Sequence, residues 1–144
     1  MRISNYLLLA LVISLSSCSN NSKNEVKLKQ YMVKGQMLYN IHCSNCHGIK
    51  GQGLGRVYPP LNPSDYVQNN FSDVLCVMRS GLTGEVIVNG VSYNQMMPAL
   101  EHLTDLEVAE IATYIYNSWS DKKGLIGVNE VIENSENCPP PTTH

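Results

Sequence analysis

The chain has almost no phenylalanine, few charges and no long apolar run. One Phe and one Trp stand against eight Tyr, a bias that by itself carries no functional reading. The longest apolar stretch, residues 6–15, falls well short of the ~20 residues that cross a bilayer as a helix. A basic surplus is missing: ten Lys and Arg face twelve Asp and Glu, a net charge of -2. Nucleic-acid binding calls for an electropositive surface, so that class is set aside. There is no G-K-[ST] phosphate loop. A second C-x-x-C, which a zinc ribbon needs, is absent, and so is the strand–helix alternation around the first pair that a thioredoxin-like redox site needs. What remains is 144 residues with 43% hydrophobic and 15% charged content, the composition of one soluble domain with extras.

The chain is organised around Cys43-Ser44-Asn45-Cys46-His47. A C-x-x-C-H run reads as a c-type haem attachment site. Two thiols at this spacing form thioether bonds to the haem, and the adjacent His47 donates an imidazole nitrogen to iron. In a domain of about 90 residues, such a disc supplies much of the apolar core.

Arg2, the apolar stretch at residues 6–15 and Leu15-Ser16-Ser17-Cys18 read as an export signal ending in a lipobox. Residues 1–17 are then removed and Cys18 is lipidated. Several acyl chains, at about 0.8 kcal/mol per buried CH2, anchor stably without a transmembrane helix. The mature chain keeps 9 basic and 12 acidic side chains. Residues 18–27 are polar and read as a flexible tether without regular structure.

A helix is expected over residues 28–42. Gly35 is its one breaker; Gly35, Tyr39 and Cys43 follow at spacings of four and share a face. The glycines from Gly48 to Gly55 let the backbone pass close to a flat ligand. Tyr58-Pro59-Pro60-Leu61 is a rigid extended corner, and a carbonyl there can accept the second ring proton of His47. Ser64 caps a short helical turn. Ser72 is expected to cap a helix to about Arg79 that stops at Gly81. Asn89-Gly90 between β-formers signals a hairpin over residues 85–93, which needs support from the haem or a helix. Met96 and Met97 precede Pro98; either thioether can be the sixth iron ligand, and spacing does not choose between them. Thr104 and Glu107 form a capping box that opens a helix to Trp119, with an apolar face at Val108, Ile111, Ala112, Ile115 and Trp119. Val128, Val131 and Ile132 suggest one further short helix before a disordered tail from Pro139.

Residues 28–120 resemble a class I cytochrome c. The resemblance rests on Cys43, Cys46 and His47, on Gly35 and Tyr39 ahead of them, and on Tyr58-Pro-Pro-Leu, Val88-Asn-Gly, Met97-Pro-Ala and Tyr114-Ile-Tyr-Asn-Ser-Trp. It implies an all-α fold wrapped on one covalent haem c, with one small β-hairpin before the methionine loop. It implies that Gly35 and Tyr39 pack on the last helix at Ile111 and Tyr114. It further implies that the Pro59 carbonyl holds His47 and that Met97 is the axial ligand, with Met96 in reserve. The small monohaem cytochromes it most resembles pass single electrons between an upstream quinol-oxidising or cytochrome donor and a terminal oxidase, nitrite reductase or nitrous-oxide reductase.

Five cysteines are present. With Cys18 lipidated and Cys43 and Cys46 on haem, Cys76 and Cys138 remain, and in an oxidising compartment they pair. The pair closes a loop of about 60 residues and staples residues 121–144 to the mid-chain helix, for about 4 kcal/mol in the chain-entropy model. His102, close to the methionine loop, is the rival to Met97. The reading is a lipid-anchored electron carrier in the periplasm or at the cell surface. The rivals are a peroxidase-like or small-ligand-binding haem protein that loses its Met ligand, and a haem-free thiol or zinc lipoprotein. No distal acid–base pair accompanies the site, which speaks against the enzyme.

Overall fold

The computed structural model describes residues 19–136 and 138. The export signal, Cys18 and the tail from Pro139 lie outside the described residues. Helix α1 spans Ser19–His42. Residues 19–27, read as an irregular tether, are its first turns. No Gly or Pro interrupts the chain from Ser19 to Lys34, and the Glu25–Lys29 pair at 2.6 Å adds i,i+4 support. The single turn α2 (Ser44–His47) follows directly.

Ser64 opens α3 (Asp65–Asn69), its hydroxyl accepting from the Val67 N–H at 3.2 Å. Helix α4 (Phe71–Ser80) starts one residue ahead of the cap expected at Ser72. The reason is local. Asn70 closes α3 through its side-chain amide on the Tyr66 carbonyl and also opens α4. Ser72 therefore falls inside the first turn, where its hydroxyl bonds Asn134. Strands β1 (Val86–Val88) and β2 (Val91–Tyr93) form the antiparallel hairpin, with Val86 opposite Tyr93 and Val88 opposite Val91. Asn89 and Gly90 both take positive φ, 52° and 74°, as a two-residue turn of matching twist requires.

Helix α5 (Asp105–Trp119) begins at the capping box. The Glu107 N–H donates to the Thr104 hydroxyl, and the Thr104 N–H donates to the Glu107 carboxylate at 2.9 Å. The sequence marks one apolar face, yet every residue from Val108 to Tyr116 is buried. Neighbours on several sides account for this. Helix α1 crosses it at Gly35, where a side chain would overlap the Glu110 carbonyl and come within 2.9 Å of Tyr114 Cβ. The contact thus falls on the Glu110 backbone and Tyr114. On another side lies the C-terminal segment with α6 (Val128–Ser135). Ile126 and Val131 are fully buried in the same cluster as Tyr39, Leu75 and Ile111. Thr113 bonds the Ile126 N–H at 3.1 Å, so residues beyond 120 are part of this core rather than an appendage. Among the described residues no helix is long and apolar enough to cross a membrane.

Cys76 on α4 and Cys138 are joined by a disulfide across 62 positions. Replacing both with serine is expected to lower stability by about 4 kcal/mol, read as a shifted urea midpoint under oxidising conditions and as an unchanged midpoint on adding reductant.

Thr104→Ala is expected to cost about 1 kcal/mol in the same measurement at neutral pH. The Thr104 N–H and hydroxyl hold the Glu107 carboxyl below the usual carboxylate range. A depressed carboxylate contributes its stability above its unfolded pKa and loses it as pH falls through the lower folded value. The gap between parent and variant is therefore expected to narrow on acidification below the ordinary Glu range.

Candidate functional site

Where α1 ends, one further turn carries Cys43, Cys46 and His47. The Cys43 N–H continues the helical ladder to the Tyr39 carbonyl at 2.8 Å, and the His47 N–H donates to the Cys43 carbonyl at 2.9 Å. Spacings of three and four place all three side chains on one cleft. Tyr39 secures this turn from below. It is fully buried, sits 5.6 Å from Tyr114 and 5.1 Å from Trp119 between ring centroids, and donates its hydroxyl to the Gly48 carbonyl at 2.6 Å.

The glycine segment then folds back on protein. Gly53 donates its N–H to the His47 carbonyl at 2.7 Å, and the Gly51 carbonyl accepts from Leu61 and Asn62. Gly51 lies against the Trp119 ring. The close approach that the glycines permit is thus to the chain's own residues. The fold-back brings the Pro59 carbonyl 2.9 Å from Nδ1 of His47. A carbonyl oxygen only accepts, so Nδ1 carries the proton and Nε2 keeps a free lone pair. The ring is 8% exposed. Burial pushes its pKa below the ordinary histidine value, outweighing the opposing pull of the Pro59 bond. The imidazole is therefore neutral at neutral pH, the form that ligates metal.

The cleft encloses about 920 Å3 of empty space, its open mouth included. Its walls come from Val67, Val74, Met78, Val88 and Ile115, with Pro59 and Leu61 beside His47. Met96 and Met97 both line it, but they differ in setting. Met97 is half-buried and pinned by reciprocal backbone bonds to Leu82, 2.9 Å each way, whereas Met96 is 58% exposed. His102 is absent from the lining and lies against His42 at a tilt of 53°, ring centroids 5.1 Å apart.

Cys43 and Cys46 are free thiols. Burial, aided by Cys46, pushes Cys43 up to about 12, so it stays a protonated thiol at neutral pH. Two unpaired thiols, a neutral imidazole and a pinned thioether around one apolar cleft fit a flat macrocycle held covalently and ligated through iron.

Two positioning devices escaped the sequence. Leu82 holds Met97 through an isolated backbone bridge, for which no local pattern exists. The other is the hairpin turn, which clamps the α3 entrance. The Asn89 side chain accepts from the Asp65 N–H at 3.0 Å and donates to the Pro63 carbonyl at 2.7 Å, while its own N–H donates to the Asp65 carboxylate at 2.7 Å. Asn-Gly announced the turn but not what it grips.

The family model described as cytochrome c oxidase, cbb3-type, subunit III matches residues 31–115, more than half of the chain. Over 91 residues the chain is 31% identical to Cytochrome c-552 of Thermus thermophilus, covering 59% of this chain and 68% of that protein. At the same identity it matches Cytochrome c-552 from a named strain of that species, spanning 60% of its length.

Asn89→Ala is expected to cost about 2 kcal/mol, because it removes two side-chain bonds and leaves a positive φ on a residue that disfavours it. Urea unfolding of the haem-loaded protein measures the loss, and increased hydrogen exchange in residues 86–93 locates it.

Proposed function

The chain belongs to the c-type cytochrome family of the cbb3-type oxidase subunit III, and on that premise we propose a lipid-anchored single-electron carrier with His47 and Met97 as axial ligands. The protein is a haem electron-transfer protein, and its cofactor is covalently bound haem c with iron. When bound, the haem supplies the one-electron Fe(II)/Fe(III) couple.

The observation that carries the ligand assignment is the pairing of His47 Nδ1 with the Pro59 carbonyl, which leaves Nε2 free on the cleft. Cys43 and Cys46 fix the macrocycle by thioether bonds from one helical turn. The Pro59 bond orients the imidazole and raises its basicity. The backbone pairing of Met97 with Leu82 supports Met97 over Met96 as the sixth ligand, and the position of His102 against His42 argues against that histidine. A thioether there would complete the iron's ligand set and favour electron transfer over ligand binding. Apolar walls keep water from the site, and the open mouth gives partners access to one edge.

Cys18 is the proposed lipid attachment, after removal of residues 1–17, with the domain outside the cytoplasm. A helical α1 of 24 residues reaches about 36 Å, at 1.5 Å per residue. The electron acceptor best supported by the family's description is a terminal oxidase, with the chain acting as an electron-delivery partner or subunit.

Carbon monoxide separates the ligand readings. The reduced protein and Met96→Ala are expected to show no spectral change with the gas. Met97→Ala is expected to bind it and to lose on the order of 0.1 V of reduction potential, within the roughly 0.8 V over which axial ligands tune haem. Binding by Met96→Ala and not by Met97→Ala would reassign the ligand.

A further inference from the structure

We propose that the outward face of α1 is a docking surface for an anionic phospholipid bilayer, on which the helix lies flat. The inward face of α1 carries Tyr31, Gly35, Leu38 and Tyr39, all buried. At 100° per residue, Val26, Val33, Met37 and Ile41 fall within an arc of about 80° on the other side of the helix. They are 46% to 73% exposed, and together they are four of the eleven large apolar side chains exposed among the described residues. The row runs about 22 Å along the axis, broken only by the uncharged Gln30. A single exposed apolar residue needs no explanation, but an aligned row on the face turned away from the core does.

Charge complementarity identifies the occupant. Residues 19–42 hold four lysines and one glutamate, a net charge of +3, whereas residues 43–144 hold five basic and eleven acidic side chains, a net charge of -6. Lys23 and Lys27 flank the apolar row on one side and Lys29 on the other. Lys29 pairs with Glu25, but that pair is exposed and weakly held. Lys27 lies 5.4 Å from the centre of the Tyr31 ring, and Lys34, on the same flank as Lys23 and Lys27, faces Glu107 and Glu110 of α5. An apolar row rimmed by lysines is the pattern of a helix in a bilayer interface, with aliphatic stems buried and ammonium groups at the phosphates. The negative remainder of the chain is repelled by the same surface, which turns α1 toward it.

The test uses the haem-loaded protein carrying Cys18→Ser and exported behind an ordinary cleavable leader, so that no acyl chain contributes. The proposal therefore does not rest on the lipid anchor. Sedimentation with phosphatidylcholine vesicles, with and without phosphatidylglycerol, is the measurement. Binding is expected only where phosphatidylglycerol is present and is expected to fade with salt. It weakens about fivefold for each of Lys23→Gln and Lys27→Gln, and on the order of tenfold or more for Val33→Glu/Met37→Glu. These side chains are exposed, so the haem spectrum and melting temperature stay unchanged, which separates failed docking from a failed fold or a failed electron carrier. Absence of binding to phosphatidylglycerol vesicles, or binding indifferent to both sets of substitutions, overturns the proposal. A dimer in sedimentation equilibrium that Val33→Glu/Met37→Glu dissociates, with no vesicle binding, overturns it in favour of a second copy of the chain.

Discussion

The close crossing of α1 over α5 sets the position of everything else. Gly35 lets the two backbones meet at the Glu110 carbonyl, with Tyr114 beside it. One turn later Tyr39 is enclosed by Tyr114 and Trp119. One turn after that the chain delivers Cys43. Because the helix is rigid, error at the crossing would carry forward to the thiols and to His47. The Tyr39 hydroxyl extends the same control past the end of the helix, by holding the Gly48 carbonyl just after His47. Burial holds the Tyr39 hydroxyl well above the usual tyrosine range, so it remains a donor at any physiological pH.

The remaining walls depend on polar ties rather than on that crossing. The His47 face is closed by the fold-back that brings Pro59 to Nδ1. The methionine face is held by Leu82 and by the hairpin, whose turn is fastened to Pro63 and Asp65. Two three-residue strands are marginal by themselves in water. Here Val88 and Tyr93 are buried, and Val86 and Val88 line the cleft. The hairpin thus draws support both from the Asn89 clamp and from the site it borders, and the second of these couples filling of the cleft to order in its wall.

Much of this was legible because the determinants are local. The C-x-x-C-H spacing, the capping box at Thr104, the Asn89-Gly90 turn and the Gly35–Tyr39–Cys43 periodicity each fix a geometry within a few residues. What escaped was non-local or depended on what the chain lacks. Residues 19–27 are polar apart from Val26, so their composition reads as tether, while an uninterrupted backbone lets the helix propagate through them. Gly53 reaches the His47 carbonyl only after the glycine segment has folded, and no spacing rule reports that. The burial of Val108–Tyr116 on several sides depends in part on the arrival of Ile126 and Val131, which lie beyond the stretch that resembles the family.

That late arrival bears on the cleft through α4. Val74 and Met78 of α4 line the cleft, while Cys76, two residues from each, points away from it to Cys138. Helix α4 is therefore held from behind by α6, the disulfide and the Ser72–Asn134 bond. At its C-terminal end Arg79 pairs with Asp105 and donates to the Leu103 carbonyl at 3.3 Å, fastening it to the start of α5. A ten-residue helix is too short to persist by its own hydrogen bonds, and one whose inner face borders a cleft has less protein to pack on. Support from behind answers that deficit. It backs the Val74–Met78 wall from outside the cleft, whereas the hairpin wall is tied at its turn, through Asn89. The two sides of the site thus differ in how they are braced, because α6 and Cys138 reinforce only the α4 side.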